Sequence, residues 1–269
     1  MFISLAFVKL PTTDRFFEPP PSKTDFDTLA GILRLSTKYE ILYLRQRALR
    51  HLDTTVCNTL QDQEARQSKR TIPRTDFLSF LIAELAHEMD LPWLLPPVLC
   101  SCTLFFEDIV TGYMYKGERR WMNSSQQVVC IKALKPLIDW YRKDILSFLY
   151  WTNVDGCKSS ARCNQGRLKL LEGYSSNELS IAFEPFPNIF EQDVRKAVCT
   201  TCCIASRDAH LAASDALWEA LPGLFDLPSW GTLRTLRRQA LTESWVVREF
   251  DMASVCVFLP LVFDLSIHP

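Results

Sequence analysis

Apolar residues recur along the first part of the chain at the spacing of α-helices. Between residues 78 and 89 they fall at i, i+3, i+4, i+7 and i+11, which places them on one helical face. An earlier stripe, at residues 29, 32 and 33, follows Thr24 and Asp27, whose spacing is that of a capping box. These stripes predict helices rather than strands.

Further stripes extend the helical prediction through the first half of the chain. Apolar positions 44, 48, 49 and 52 predict a second helix, which forms a hairpin with the first after a break near Glu40. Polar residues 54–74 predict an exposed loop. Pro92 suits the first turn of a new helix. Ser124 and Gln127 could cap a long helix with apolar positions between 134 and 149, which Pro136 should kink or split.

The second half of the chain is more irregular than the first. A loop around Asp155 and Gly156 precedes a short predicted helix at 162–172, and an aromatic, proline-rich segment covers 183–190. Helices are then predicted at 191–220 and 228–241. Eight glycines are few for the turns of a β-sandwich, and no strand-rich region appears. The predicted fold class is all-α: a helical hairpin, a multi-helix domain and an appended Cys-rich segment.

Composition and charge narrow the classes of function. Thirty basic residues balance 31 acidic ones, so no global field attracts nucleic acid or an anionic membrane. The apolar N-terminus lacks the basic region and cleavage site of a signal peptide, and the apolar run 255–265 is too short to span a bilayer. We therefore expect reduced thiols and a cytoplasmic or nuclear protein.

Five potential metal ligands lie in the second half of the chain: Cys157, Cys163, Cys199, Cys202 and His210. A C-x5-C pair precedes a C-x2-C pair, and the histidine comes eight residues after the last cysteine. Zn²⁺ prefers four thiolate or imidazole ligands in a tetrahedron. Four cysteines would fill that tetrahedron and leave no position for water, so the implied zinc site is structural rather than catalytic.

Taken together, these residues allow three interpretations. If 199–220 is one helix, Cys199, Cys202, Cys203 and His210 share a face and form an ordinary row of buried side chains, which is the first interpretation. Structural zinc is the second, and a redox C-x-x-C pair is the third, without the βαβ setting that such a motif usually has. A loop that brings Cys157 and Cys163 to the other pair would favour zinc.

Other candidate chemistry is sparse. His51 is expected to interact with the C-terminal end of a helix, and His87 has no H-E-x-x-H partner. No P-loop, G-x-S-x-G or G-x-G-x-x-G sequence occurs, and no general base is placed beside a thiol, so we expect no enzyme. Two small groups of arginines, at 45–50 and 234–238, are interpreted as solvated helix surfaces.

A family resemblance enters at Phe16-Phe17-Glu18-Pro19-Pro20-Pro21 and continues through residues 22–52, including Leu33-Arg34-Leu35-Ser36. These residues resemble the closing helices of a BTB/POZ domain in fungal proteins of the mushroom lineage. Later segments are similar to the helical region that follows in that family: residues 90–96, the Cys157/Cys163 loop, the segment from Cys199 to His210, and residues 218–230. Only residues 1–15 precede the match, so the BTB sheet and its dimer surface are expected to be absent.

The resemblance implies a domain order and a role. The expected divisions are a truncated BTB-terminal hairpin at 1–53, a helical domain at 54–152, a Cys/His-containing helical segment at 153–245 and an unassigned tail at 246–269. The implied role is a non-enzymatic protein-interaction module, an adaptor whose partner is a cullin-type ubiquitin ligase scaffold. The alternative, suggested by the Cys/His set, is a zinc-stabilised nucleic-acid-binding or transcription-regulatory protein, which the neutral charge disfavours.

Overall fold

A computed structural model describes residues 17–56, 58–62, 69–174 and 191–242. The predicted all-α class is confirmed, because the described residues are mostly helical and their sheet is a single two-stranded hairpin. The helices are α1 (Phe26–Lys38), α2 (Leu42–Thr55), α3 (Leu78–Glu88), α4 (Leu95–Cys102), α5 (Phe106–Thr111), α6 (Ser124–Trp140), α7 (Ser160–Tyr174), α8 (Glu191–Ala197), α9 (Thr200–Leu224) and α10 (Trp230–Thr242). The strands are β1 (Tyr113–Tyr115) and β2 (Glu118–Arg120), which pair antiparallel.

The α1–α2 hairpin forms as predicted, but its cap differs. The N-cap residue is Asp25, whose carboxylate accepts a hydrogen bond from the backbone N–H of Thr28 at 2.9 Å. The prediction of a capping box at Thr24 and Asp27 is therefore wrong by one residue, since Asp25 offers the acceptor that satisfies a free N–H of the first turn. The hairpin turns at Glu40, which has a left-handed φ of 56°.

His51 lies in the interior rather than at an exposed helix end. Its ring nitrogens contact the hydroxyl of Thr71 and the backbone carbonyl of Glu18, each at 2.8 Å, and its side chain is fully buried. Thr71 and Ile72 are buried as well, so the expectation of an exposed loop at 54–74 is wrong at that end. Burial disfavours the imidazolium and lowers the pKa of His51.

The middle of the chain departs from its predicted course at two places. The polar connection after α5 contains the β1–β2 hairpin, in which Tyr113 is opposite Arg120. Helix α6 is not split at Pro136 but continues to Trp140 and then widens into a π-helical turn at Tyr141–Ile145. A 3₁₀ turn, Ser147–Tyr150, completes the path toward the Cys-rich loop.

One hydrophobic core runs through the described elements from Phe17 to Ala240. Near its C-terminal end, Trp218 and Trp230 stack with ring centroids 5.5 Å apart, as expected for core tryptophans. Within the described residues, one run, Pro92–Thr111, is long and apolar enough to cross a membrane, but half of its most apolar window is buried inside the fold. A buried run of that kind is weak evidence for a membrane span.

The predicted helix at 191–220 is divided in two. Helix α8 ends at Ala197 and α9 begins at Thr200, with Cys199 as the N-cap in an extended conformation (ψ 164°). The break turns the chain just before the C-x2-C pair and places Cys199 outside the helix. The aromatic, proline-rich segment at 183–190 and the tail at 246–269 lie outside the described residues.

Candidate metal centre

Four of the five predicted ligands converge at one point. The sulfur atoms of Cys157, Cys163, Cys199 and Cys202 all lie within 4.8 Å of one another. Cys163 and Cys202 are buried, whereas Cys157 and Cys199 are half-buried, so the cluster lies at the edge of the core. Residues more than thirty positions apart in the chain therefore form one site.

The loop that carries Cys157 is shaped by a tight turn. The backbone N–H of Cys157 donates to the carbonyl of Val154 at 3.0 Å, and Gly156 adopts a φ of 76°, a left-handed value that favours glycine. A Cβ at Gly156 would lie 3.5 Å from a methyl carbon of Thr201, so the loop packs against the first turn of α9. This packing brings Cys157 to the start of α9, where the C-x2-C pair lies.

A close helix crossing positions Cys163. Helices α7 and α8 pack against each other at Gly166, where an added Cβ would overlap the backbone carbonyl of Ala197. Cys163 lies one turn before Gly166 on α7, and Cys199 lies two residues after Ala197. The crossing therefore allows the backbone N–H of Cys199 to donate to the Cys163 sulfur at 3.3 Å.

The spacing of the four sulfurs is compatible with a tetrahedral metal site. A tetrahedron with zinc–sulfur distances of about 2.3 Å has sulfur–sulfur edges of about 3.8 Å. The sulfurs of Cys157 and Cys199 are 3.9 Å apart, and none of the described cysteines forms a disulfide. Core packing alone explains a row of thiols along α9, but it does not explain why two more thiols from another segment converge on that row.

Backbone amides are directed at three of the four sulfurs. The N–H of Ser159 lowers the pKa of Cys157, and the N–H of Cys202 lowers the pKa of Cys199 to about 6. The third donor is the backbone N–H of Cys199, which is directed at the sulfur of Cys163. Burial raises the pKa of Cys163 and raises that of Cys202 to about 12, so the inner pair favours the thiol unless a cation is present. Amide donors around sulfur stabilise thiolates, which are the form that binds metal.

The remaining predicted ligand, His210, lies outside the cluster. It is buried on α9 two turns beyond Cys202, at an axial distance of about 12 Å for eight residues of helix. Cys203 is also buried and is not one of the four. The helical face that the sequence predicts therefore has two roles. Its first two cysteines, Cys199 and Cys202, meet Cys157 and Cys163, whereas Cys203 and His210 are core positions.

Sequence reasoning missed Arg167, the largest of the fully buried side chains. It follows Cys163 by one turn on α7, and its guanidinium lies beside the Cys202 thiol, whose pKa it lowers against the larger effect of burial. The available signal was an arginine at i+4 from a candidate ligand, on the same helical face. One of the predicted arginines, Arg237, instead binds the carboxylate of Asp53 with Nε–Oδ1 2.9 Å.

The comparisons with known proteins leave the site to be interpreted from its own geometry. Searches of family models, curated proteins and solved structures found no match to this chain.

Proposed function

We propose that this chain is a non-enzymatic protein-interaction module whose C-terminal half is stabilised by a four-cysteine zinc centre. The observation that carries the proposal is the convergence of four sulfurs, from two segments of the chain, within 4.8 Å. A tetrathiolate site is filled by protein ligands and has no position at which a water or substrate could be activated. The centre therefore serves stability rather than catalysis.

The packing around the cluster supports a stabilising metal. In the described residues 151–174 and 191–203, the buried apolar side chains other than cysteine are Val194 and Val198. Leu168 on α7 is more than half exposed. So small an apolar core contributes little hydrophobic free energy, and small units of this kind are commonly stabilised by a structural metal. The binding energy of Zn²⁺ would then contribute directly to the folding of α7 and α8.

An apolar surface supports the interaction role. Exposed apolar side chains are concentrated on α5, the β1–β2 hairpin and the beginning of α6, and we call this set the 105–131 surface. Exposed apolar side chains that group together commonly mark an interaction site, so we assign the interaction role to this surface. Its members are Phe105, Phe106, Val110, Met114, Trp121, Val128 and Ile131.

The partner class comes from the family resemblance rather than from the site. The BTB/POZ family that this sequence resembles includes adaptors, so the proposed partner is a cullin-type ubiquitin ligase scaffold in the cytoplasm or nucleus. The helical hairpin α1–α2 contains the first segment of the resemblance, and later segments extend it to about residue 240.

Metal content tests the first half of the proposal. Protein expressed in zinc-replete medium should contain about one equivalent of zinc by elemental analysis, because four thiolates bind one ion. Cys202→Ser should lose that zinc, whereas Cys203→Ser, at a neighbouring buried thiol outside the cluster, should retain it. Wild-type protein with less than about a tenth of an equivalent would contradict the zinc centre.

Binding measurements test the second half. A purified cullin-type scaffold should co-elute with the wild-type chain in size-exclusion chromatography. Phe106→Ser together with Trp121→Ser should weaken that binding, while Leu168→Ser, at an exposed leucine elsewhere, should not. A chain that binds no scaffold, but shows salt-sensitive binding to duplex DNA in a gel shift, would contradict this function and support the nucleic-acid-binding alternative.

A further inference from the structure

The buried guanidinium of Arg167 has no carboxylate partner among the described residues. Its side chain is 1% exposed, and Nε donates to the backbone carbonyl of Trp151 at 2.9 Å. Nη2 donates to the side-chain oxygen of Asn164 at 2.6 Å, and both acceptors are neutral. Among the residues that the structure describes, no aspartate or glutamate forms an ion pair with it.

An isolated buried cation is costly, and arginine stays charged at any physiological pH. Burying an unpaired charge costs several kcal/mol or more, so buried charges are generally paired. Arg167 also has a terminal nitrogen, Nη1, that is buried without a hydrogen-bond partner. Within the described part of the chain, the charge that balances Arg167 must therefore come from another kind of group close to it.

The neighbouring sulfur cluster can supply that charge. Four thiolates around one Zn²⁺ have a net charge of about −2, which a partly buried site must also offset. Three of the sulfurs receive a backbone N–H, from Ser159, Cys199 and Cys202. The fourth, Cys202, is the sulfur beside the Arg167 guanidinium.

We propose that Arg167 is the fixed counter-charge of the four-cysteine centre, a positioning residue that donates to the Cys202 sulfur and offsets part of the negative charge of the metal site. This inference rests on the proposed zinc centre and adds to it a partner outside the ligands. Asn164 and the carbonyl of Trp151 fix two of the three guanidinium nitrogens, which leaves the buried Nη1 without a partner among the described residues. Such partners beyond the ligands commonly tune the affinity and the electronic properties of a metal site.

Replacing the cation by an apolar chain of similar length tests the inference. We expect Arg167→Met to bind Zn²⁺ about 10- to 100-fold more weakly than wild type in competition with a chromophoric chelator. Arg167→Lys restores the charge without the planar fork, so it should recover part of the affinity. Asn164→Ala leaves the cation in place and loosens its orientation, so it should have a smaller effect in the same direction.

The Co²⁺-substituted protein gives a readout that a purely structural role would not move. The sulfur-to-cobalt charge-transfer band reports the energy of the sulfur lone pairs, which a nearby cation lowers. The band should therefore shift to longer wavelength in Arg167→Met and return toward the wild-type position in Arg167→Lys. If Arg167→Met does not fold, the comparison of Arg167→Lys and Asn164→Ala with wild type provides the same test.

The outcomes separate this inference from the zinc centre itself. Wild-type protein that binds neither Zn²⁺ nor Co²⁺ overturns both. Wild-type protein that binds one equivalent of metal, with variants that match it in affinity and in charge-transfer wavelength, overturns only the role of Arg167.

Discussion

The α1–α2 hairpin and the Cys-rich segment from residue 151 to 203 are held together in different ways. The hairpin buries leucines on both of its helices, with Leu29 and Leu33 facing Leu49 and Leu52, all at most 2% exposed. In the described part of the Cys-rich segment, the buried interior consists of sulfur, two valines and one arginine. Carbon packing suffices for the first region, whereas the second brings together four thiols and an arginine, which the proposed zinc centre would hold together.

The difference shows what each interior requires. Each buried leucine of the hairpin contributes about 1.5–3 kcal/mol, and no ligand is needed to obtain it. In the proposed zinc centre, the thiolates bound to the cation would provide the charge balance and the cross-link that the thiols and Arg167 do not provide alone. We therefore expect metal to control the order of one region and not of the other.

Removal of the metal should give the largest difference between the two regions. Structural zinc in small peptides contributes about 10–16 kcal/mol of apparent binding free energy. A high-affinity chelator at neutral pH should therefore unfold the segment around α7 and α8, while α1–α2 stays folded. Hydrogen exchange measured by mass spectrometry should show lost amide protection at 157–174 and 191–203. Equal protection with and without chelator would show that the segment does not need metal.

The stability that is lost through a cavity in the hairpin should not depend on metal. Leu33→Ala removes a fully buried side chain and should lower the free energy of unfolding by about 2–5 kcal/mol. The loss, measured by urea denaturation, should be the same before and after chelation, and the zinc content should not change. Leu168→Ala, at an exposed leucine of α7, is the control and should cost less than about 0.5 kcal/mol. A loss of zinc in Leu33→Ala would show that the two regions are coupled.

The helix crossing at Gly166 connects packing to the cluster. Gly166→Ala should push α7 away from the carbonyl of Ala197, at a cost of about 1–3 kcal/mol, and should weaken zinc binding because Cys163 moves with the helix. Gly173→Ala is the matched control on the same helix, since a Cβ there meets nothing within 4 Å. The two variants should therefore differ in zinc affinity in a competition assay. Equal affinities would show that the crossing does not set the cluster geometry.

A fall in pH should lower the stability of the hairpin through His51, by less than the changes described above. Because burial lowers the pKa of His51 in the folded state, the unfolded chain takes up the proton first as pH falls. The stabilisation is therefore present above the unfolded value of about 6.5 and is lost as pH falls through the lower folded value, by about 1.4 kcal/mol for each unit of pKa difference.

The His51 effect can be isolated by a variant pair. His51→Gln should flatten the dependence of unfolding free energy on pH between about 7 and 5, relative to wild type. His87→Gln, at an exposed histidine of α3, is the matched control for the substitution itself. Urea denaturation across the pH range measures both. An unchanged slope in His51→Gln would show that another group accounts for the acid sensitivity.

The sequence by itself determined the helices and the type of chemistry. The period of apolar residues placed α1, α2 and α3, because a helix must bury one face and a repeat of 3.6 residues records which face that is. The cysteine spacings identified four thiols that fit a filled zinc site. Only the tertiary structure decided that those four meet, because a spacing within each pair carries no information on the distance between pairs.

Tertiary structure also decided which side chains belong to the site. His210 shares a helical face with Cys202 but lies two turns away, whereas Arg167, which no motif marks, reaches the cluster from α7. The division between α8 and α9 lies beside the close approach of two backbones at Gly166 and Ala197. His51 became a buried neutral side chain because residues 71 and 72 fold over it. Each of these outcomes depends on contacts between distant segments, which local patterns along the chain do not record.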